Sequence, residues 1–252
     1  MPRLSVCIEM FWKDLPLAER IRKVKALGFT AFEFWGWKDK DLEAIAQAKA
    51  ETGLALAVMS MEPNWVLVTR ANDQGVLDGF AASVTVARRL GCQTLIAVPG
   101  FVQADGTWEQ SFRTVRRKLK AMARIAEEGG VTVVVEPLNP LVDHAGAWLT
   151  KMSEAYDLVR EVASPNVKIL MDMYHQQVTE GNLLANLAAY APWIGHVHAA
   201  GVPGRHELVG GELDYRAILR AIDATGYHGY VGLEYAPTMA AEVGLKQALE
   251  LA

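Results

Sequence analysis

Cysteine is scarce in this chain. Cys7 and Cys92 are the only two in 252 residues, too few and too far apart for a disulfide framework or a zinc knuckle, and they read as two buried, reduced thiols. Long apolar runs are absent as well. The opening stretch MPRLSVCIEMFWKDLP is interrupted by Glu9, Lys13 and Asp14, and no later run approaches the ~18 apolar residues of a membrane span. No membrane partner is expected, and the cytoplasm is the default location. Positive charge is not in excess: 25 Lys and Arg stand against 29 Asp and Glu, a formal net charge of −4. That balance gives no general attraction to nucleic acid. The densest basic stretch, RTVRRKLK at 113–120, reads as the solvated face of a long helix. Neither GxGxxG nor GxxxxGK[ST] follows the first strand-like run, which removes the usual nucleotide-binding signatures. Histidine is missing from the first half, all six (144, 175, 196, 198, 206 and 228) lying beyond it. There is no composition break, Ser/Gly linker or low-complexity tract, so residues 1–252 read as one domain.

What is present is a repeat of short apolar runs followed by amphipathic stretches. The strand candidates are LSVCIEM (4–10), AFEFWGW (31–37), ALAVMSM (55–61), QTLIAVPG (93–100), VTVVVEP (131–137), VKILMDMYH (167–175), IGHVHAAG (194–201) and YVGLEYAP (230–237). Between them, LAERIRKVKALG, LEAIAQAKAETG and YRAILRAIDATG carry apolar residues at three- and four-residue steps and close on Gly. Strands apolar on both faces and separated by helices imply a parallel sheet covered by helices. Eight such units in this length match an α/β fold of the (β/α)8 TIM barrel type, a parallel eight-stranded barrel ringed by helices. The connections at 62–77 and 138–149 exceed the usual length and are candidate functional loops.

Active sites of such barrels gather at the C-terminal ends of the strands. The fifth to eighth candidate strands finish on Glu136 in VVVEPLNP, Asp172 in ILMDMYH, His198 in GHVHAAG and Glu234 in VGLEYAP. Three carboxylates and one imidazole suit one divalent metal ion, Mn²⁺, Mg²⁺ or Co²⁺, better than a thiolate-seeking metal. A divalent cation also relieves the mutual repulsion of the three acids. His175 is close enough to face the same cavity and donate to a bound oxygen. His196 and His198 share a face of one strand; His198, nearer its C-terminal end, is the expected ligand, and His196 a packed, hydrogen-bonded histidine. His144 and His228 read as surface or loop residues. In AGVPGRHELVGGELDY (200–215), Arg205 offers a planar fork for a carboxylate or several substrate oxygens, and glycines 201, 204, 210 and 211 permit tight turns. Trp12, Trp35, Trp37 and Trp65 fall at or just past early strand ends, where they are candidates to wall the cavity.

The segments EPLN, PNVKILMDMYHQQ with EGNLL, IGHVHAAGVPGRHE, GELDY and GYVGLEY, all between 136 and 237, resemble the hydroxypyruvate isomerase family. That family lies within the xylose isomerase-like barrel group, which also includes the ketose 3-epimerases. The resemblance implies a metal at Glu136, Asp172, His198 and Glu234, acid/base catalysis by Glu136 and Glu234, and substrate contacts from His175 and Arg205. It implies isomerisation of a small hydroxy-carbonyl compound through a cis-enediolate, with hydroxypyruvate and tartronate semialdehyde the expected pair. A ketose 3-epimerase or another small-sugar isomerase is the alternative, because the same constellation serves both. His198 stands where hydroxypyruvate isomerases usually carry Gln and the 3-epimerases carry His; Leu208 replaces their usual Pro, and AFEFWGW differs from their second strand. The expected partner is a small keto acid or sugar, with no nucleic acid or membrane; the oligomeric state is open, a homo-oligomer included. Two remoter readings are an endonuclease IV-like nuclease, which needs more histidine ligands and a basic surface, and a non-catalytic sugar sensor, which would not need both glutamates.

Overall fold

The computed structural model describes residues 2–104 and 106–252. Strands β1 (Arg3–Cys7), β2 (Ala31–Phe34), β3 (Ala55–Ser60), β4 (Thr94–Ala97), β5 (Thr132–Val135), β6 (Val167–Asp172), β7 (Ile194–Ala199) and β8 (Tyr230–Leu233) close into one parallel barrel in sequence order. The seam is the pairing of β1 with β8, in register from Arg3–Tyr230 to Val6–Leu233. Helices α1 (Leu17–Ala26), α2 (Leu42–Thr52), α3 (Asp73–Leu90), α4 (Trp108–Gly129), α5 (Met152–Val162), α6 (Met173–Thr179), α7 (Leu183–Tyr190), α8 (Tyr215–Ala224) and α9 (Ala241–Leu249) occupy the crossovers and the chain's last turn. The barrel expected from the sequence is therefore the observed fold.

The strands run as near-continuous apolar segments because both faces are covered. Met59, Leu95, Val133 and Ile169 belong to the large core shared with the helices. The alternate residues Val58, Ile96, Val134 and Leu170 form a separate apolar cluster, which the two-residue period places on the barrel's inner face. The inner face of β1, β2 and β7 is polar: Ser5, Glu33 and His196 are all buried.

Local chemistry sets the helix ends. Thr107 and Gln110 form a reciprocal capping box at the start of α4, satisfying two N–H groups left free by the helix. On α4, Arg113, Arg117 and Lys120 of the RTVRRKLK stretch form the exposed face expected of it, and Lys118 is the exception. Lys118 is fully buried, its ammonium donating to the carbonyls of Val66 at 3.2 Å and Thr69 at 2.5 Å, while Arg116 and Arg117 pair with Glu161 and Asp73. Lys118 thereby ties down the connection at 61–72, which reaches the rim of the barrel.

Candidate active site

Each of the four expected ligands sits at or just beyond a strand's C-terminal end. β6 shows why an acid belongs there. The strand stops at Asp172, and α6 begins at the next residue with Asp172 as its N-cap. Asp172 Oδ1 accepts from the Tyr174 N–H at 2.7 Å and the His175 N–H at 3.1 Å. The strand reading through His175 is thus corrected: the carboxylate trades ladder bonds for the first turn of a helix. Its other oxygen, Oδ2, is buried with no hydrogen-bond partner, as are Glu136 Oε1 and His198 Nδ1.

These three atoms belong to one cluster. Ligand atoms of Glu136, Asp172, His198 and Glu234 all lie within 4.8 Å of one another. His198 Nδ1 stands 3.3 Å from Glu234 Oε2 and 3.8 Å from Glu136 Oε1. Burial pushes the Glu136 carboxyl up to about 7, with the charges of Glu234 and Asp172 adding to the rise and His198 opposing it. Burial acts on Glu234 in the same direction, but the charges of His198 and Arg205 outweigh it and hold this carboxyl well below its ordinary range. Buried carboxylates beside unpaired buried atoms fit a divalent cation, which supplies the missing partner and removes the repulsion. Metal ligation requires a neutral Nδ1 on His198, so loading displaces any proton held there.

Glu33, which the sequence reading passed over, orients that imidazole. It is buried on β2, and its two oxygens meet His196 Nε2 and His198 Nε2 at 3.0 Å each, while the Ser5 hydroxyl also donates to it. Burial disfavours the charged form, yet the two imidazoles hold the Glu33 carboxyl down to about 2. With Nε2 of His198 engaged by Glu33, Nδ1 is the nitrogen that faces the cluster. Gly232 on β8 makes room: a Cβ there would come within 2.4 Å of Glu33 Oε2 and 2.7 Å of His198 Cδ2. Glu33, His196 and His198 also lie close enough to resemble a metal set, but these 3.0 Å contacts already pair their facing atoms as hydrogen bonds.

His175 and Arg205 both border the cavity above the cluster, which has a volume of about 450 Å³. Asn139, from EPLN, sets the tautomer of His175. Its side-chain amide and backbone N–H lie 2.7 and 3.5 Å from His175 Nδ1, so Nδ1 is the acceptor and Nε2 carries the hydrogen. Burial pushes this imidazole down to about 4, which leaves it neutral at physiological pH. Arg205 has a left-handed backbone, φ 59°. Its guanidinium donates to the Glu234 carboxylate, reaches Asp172 Oδ2 at 3.6 Å and lies over the Tyr174 ring. Its fork is thus turned to the cluster's own carboxylates.

The remaining expectations divide. Trp35 and Trp65 line the cavity, and the Trp35 indole donates to Glu234 Oε1 at 2.6 Å. Trp12 and Trp37 are instead turned to Glu242 and Ser83. His144 is no mere loop residue: it lines the cavity, its ring 5.2 Å from that of His175 and 5.3 Å from that of Trp65. The long connection carrying it is folded back by the Val102–Gly146 and Trp148–Gly100 backbone bonds.

A family described as the xylose isomerase-like TIM barrel matches residues 21–251. The chain belongs to this family. A 2-oxo-tetronate isomerase of Cupriavidus necator is 31% identical, covering 97% of this chain and 96% of its own. A hydroxypyruvate isomerase of Escherichia coli K12 is 29% identical, covering 98% of both. Among solved structures, one described as an AP endonuclease, family 2, from Brucella melitensis is 29% identical, with a TM-score of 0.94 over 99% of each chain. The two curated relatives are isomerases by name.

Proposed function

We propose that the protein is an isomerase of a small α-hydroxycarbonyl compound, a keto acid such as hydroxypyruvate, working with one divalent cation of the Mn²⁺, Mg²⁺ or Co²⁺ class. The observation that carries this reading is the convergence of three buried atoms without a hydrogen bond, Glu136 Oε1, Asp172 Oδ2 and His198 Nδ1, in a set of four residues able to hold a metal ion. A cation held by Glu136, Asp172, His198 and Glu234 would polarise the substrate carbonyl and acidify the neighbouring C–H. Glu136 and Glu234 approach His198 Nδ1 from two strands, β5 and β8, and are the proposed proton carriers. One removes the proton; the other delivers a proton to the adjacent carbon, while the substrate's hydroxyl proton passes to the former carbonyl oxygen. Trp35 keeps one oxygen of Glu234 in place through its indole N–H, and Arg205 holds the other. His175, neutral with its hydrogen on Nε2, donates to a substrate oxygen. The names of the two curated relatives favour a keto acid and the isomerase branch. One observation favours ketose 3-epimerisation as the second reading: His198 occupies the position where the 3-epimerases carry His. A nuclease, suggested by the Brucella structure's description, calls for phosphate-binding cations; this cavity sets Glu62, Glu136 and Glu234 against the single guanidinium of Arg205.

The test is turnover of hydroxypyruvate, tartronate semialdehyde and free ketoses with Mn²⁺ or Mg²⁺, before and after chelation. Glu136→Gln and Glu234→Gln should each lower kcat by about 10²–10⁴-fold, with metal occupancy confirmed independently. Turnover in D₂O should place deuterium beside the carbonyl. Metal-loaded Gln variants that work at near wild-type rates refute the proton-carrier assignment, and full activity after exhaustive chelation refutes the cation.

A further inference from the structure

The four ligand residues come from β5 to β8, one half of the barrel, and the opposite wall has its own chemistry. Glu62, just past the end of β3, lines the cavity. Its carboxylate lies against Gly36, where a Cβ would come within 2.0 Å of Glu62 Oε1. Among the described residues, no side chain or backbone N–H donates to that carboxylate and no cation pairs with it. Two residues on, Asn64 is fixed through Oδ1, which accepts from the Val98 N–H at 2.7 Å and the Trp65 N–H at 3.2 Å. Its amide nitrogen is left as a donor. Ser60 adds a hydroxyl to the same cavity, which Trp35 and Trp65 also line. Trp65 is braced by stacking on Phe101, with ring centroids 5.3 Å apart and planes 12° from parallel.

A free carboxylate, an amide donor and a hydroxyl in a cavity also lined by two indole rings form a surface for a polyhydroxylated chain. Vicinal hydroxyls donate in pairs to a carboxylate, and the carbon-bound hydrogens of such a chain pack on aromatic faces. Charge narrows the choice. β3 and β7 are diametrically opposed in an eight-stranded closed barrel, so Glu62 after β3 faces across the cavity from Arg205 after β7. A second carboxylate beside Glu62 would be repelled, whereas neutral hydroxyls would be held. Size points the same way. At ~30 Å³ per water, the cavity of about 450 Å³ has room for roughly fifteen waters. A keto acid of three carbons and four oxygens replaces only a few of these.

We propose that Glu62, with Asn64 and Ser60, forms a distal subsite for the hydroxylated tail of a substrate of four or more carbons. The substrate class is then a ketose or a hydroxylated keto acid with at most one carboxylate, directed away from Glu62. This deepens the isomerase reading and rests on it. In the Mn²⁺-loaded protein, Glu62→Ala should raise KM for four- to six-carbon substrates by about 10- to 100-fold relative to any change for hydroxypyruvate. Glu62→Gln, which keeps one acceptor oxygen, should fall between. Equilibrium binding of xylitol, which cannot isomerise, supplies a readout independent of turnover: wild type should bind it, and Glu62→Ala should lose at least tenfold in affinity. Equal KM effects on short and long substrates, or xylitol affinity unchanged by the substitution, overturn the subsite and leave the isomerase reading standing. Wild type that turns over no member of the series removes the isomerase reading instead. In that case xylitol binding alone decides the subsite: loss on Glu62→Ala supports it, while equal binding or none overturns it.

Discussion

Glu33→Gln is the most informative single perturbation, because it replaces no proposed ligand and acts only through the one that Glu33 contacts, His198. Glutamine preserves the size of the side chain and one acceptor oxygen. The other oxygen becomes an NH₂ group aimed at an imidazole N–H, since His196 Nε2 and His198 Nε2 each meet one oxygen of Glu33 at 3.0 Å. One buried donor is therefore stranded, at a cost of about 1–3 kcal/mol. Where His198 is the loser, its ring is no longer fixed with Nδ1 towards Glu136 and Glu234. Substituting the partner of a ligating histidine typically weakens metal binding by about 10–100-fold, or about 1.4–2.8 kcal/mol, the same range reached from the hydrogen-bond count. Titration calorimetry with Mn²⁺ should show that weakening. The cation-free variant should melt lower by about 2–4 °C for each kcal/mol lost. Glu33→Asp, which keeps the charge on a shorter stem, should recover part of the affinity. A folded Glu33→Gln protein with wild-type Mn²⁺ affinity would falsify the claim that this carboxylate orients His198.

Two further outcomes are expected. Arg205→Lys should raise KM for a keto acid more than for a neutral ketose, because a point charge replaces a planar fork; equal effects in steady-state kinetics would mark the residue as structural. Lys118→Met should destabilise the protein by about 1–3 kcal/mol for each carbonyl, of Val66 and Thr69, left without its donor. It should also hasten proteolysis within 61–72; an unshifted melting temperature contradicts that role.

The barrel was legible because parallel strands covered on both sides are apolar throughout, and eight such runs alternate with helical periods. Their ends were not. Met173 and Tyr174 continue the apolar run of β6, so only the capping oxygen of Asp172 shows where the strand stops. The four clustered residues were visible because each ends an apolar run on a successive strand. Glu33 escaped notice between two phenylalanines, although an acid inside a strand buried on both faces must be paired. That was the available signal. His144 could not be placed, since its approach to the cavity depends on the 136–151 connection folding back onto Gly100 and Val102. Lys118 was hidden by its basic neighbours, which do reach partners on the surface.

The pairing of β2 with β7 through Glu33 bears on how this barrel tolerates division. All four clustered residues lie in the half that begins at β5, so a gene cut between β4 and β5 would leave them on one polypeptide. Such a fragment would carry every proposed ligand and still lack the group that points His198. Glu33 is 165 residues away along the chain from that histidine, and Ser5 beside it is more distant still. The two halves are thus unequal partners: one holds the donors, the other their aim, and recombining separately made halves would be required to recover a competent cluster.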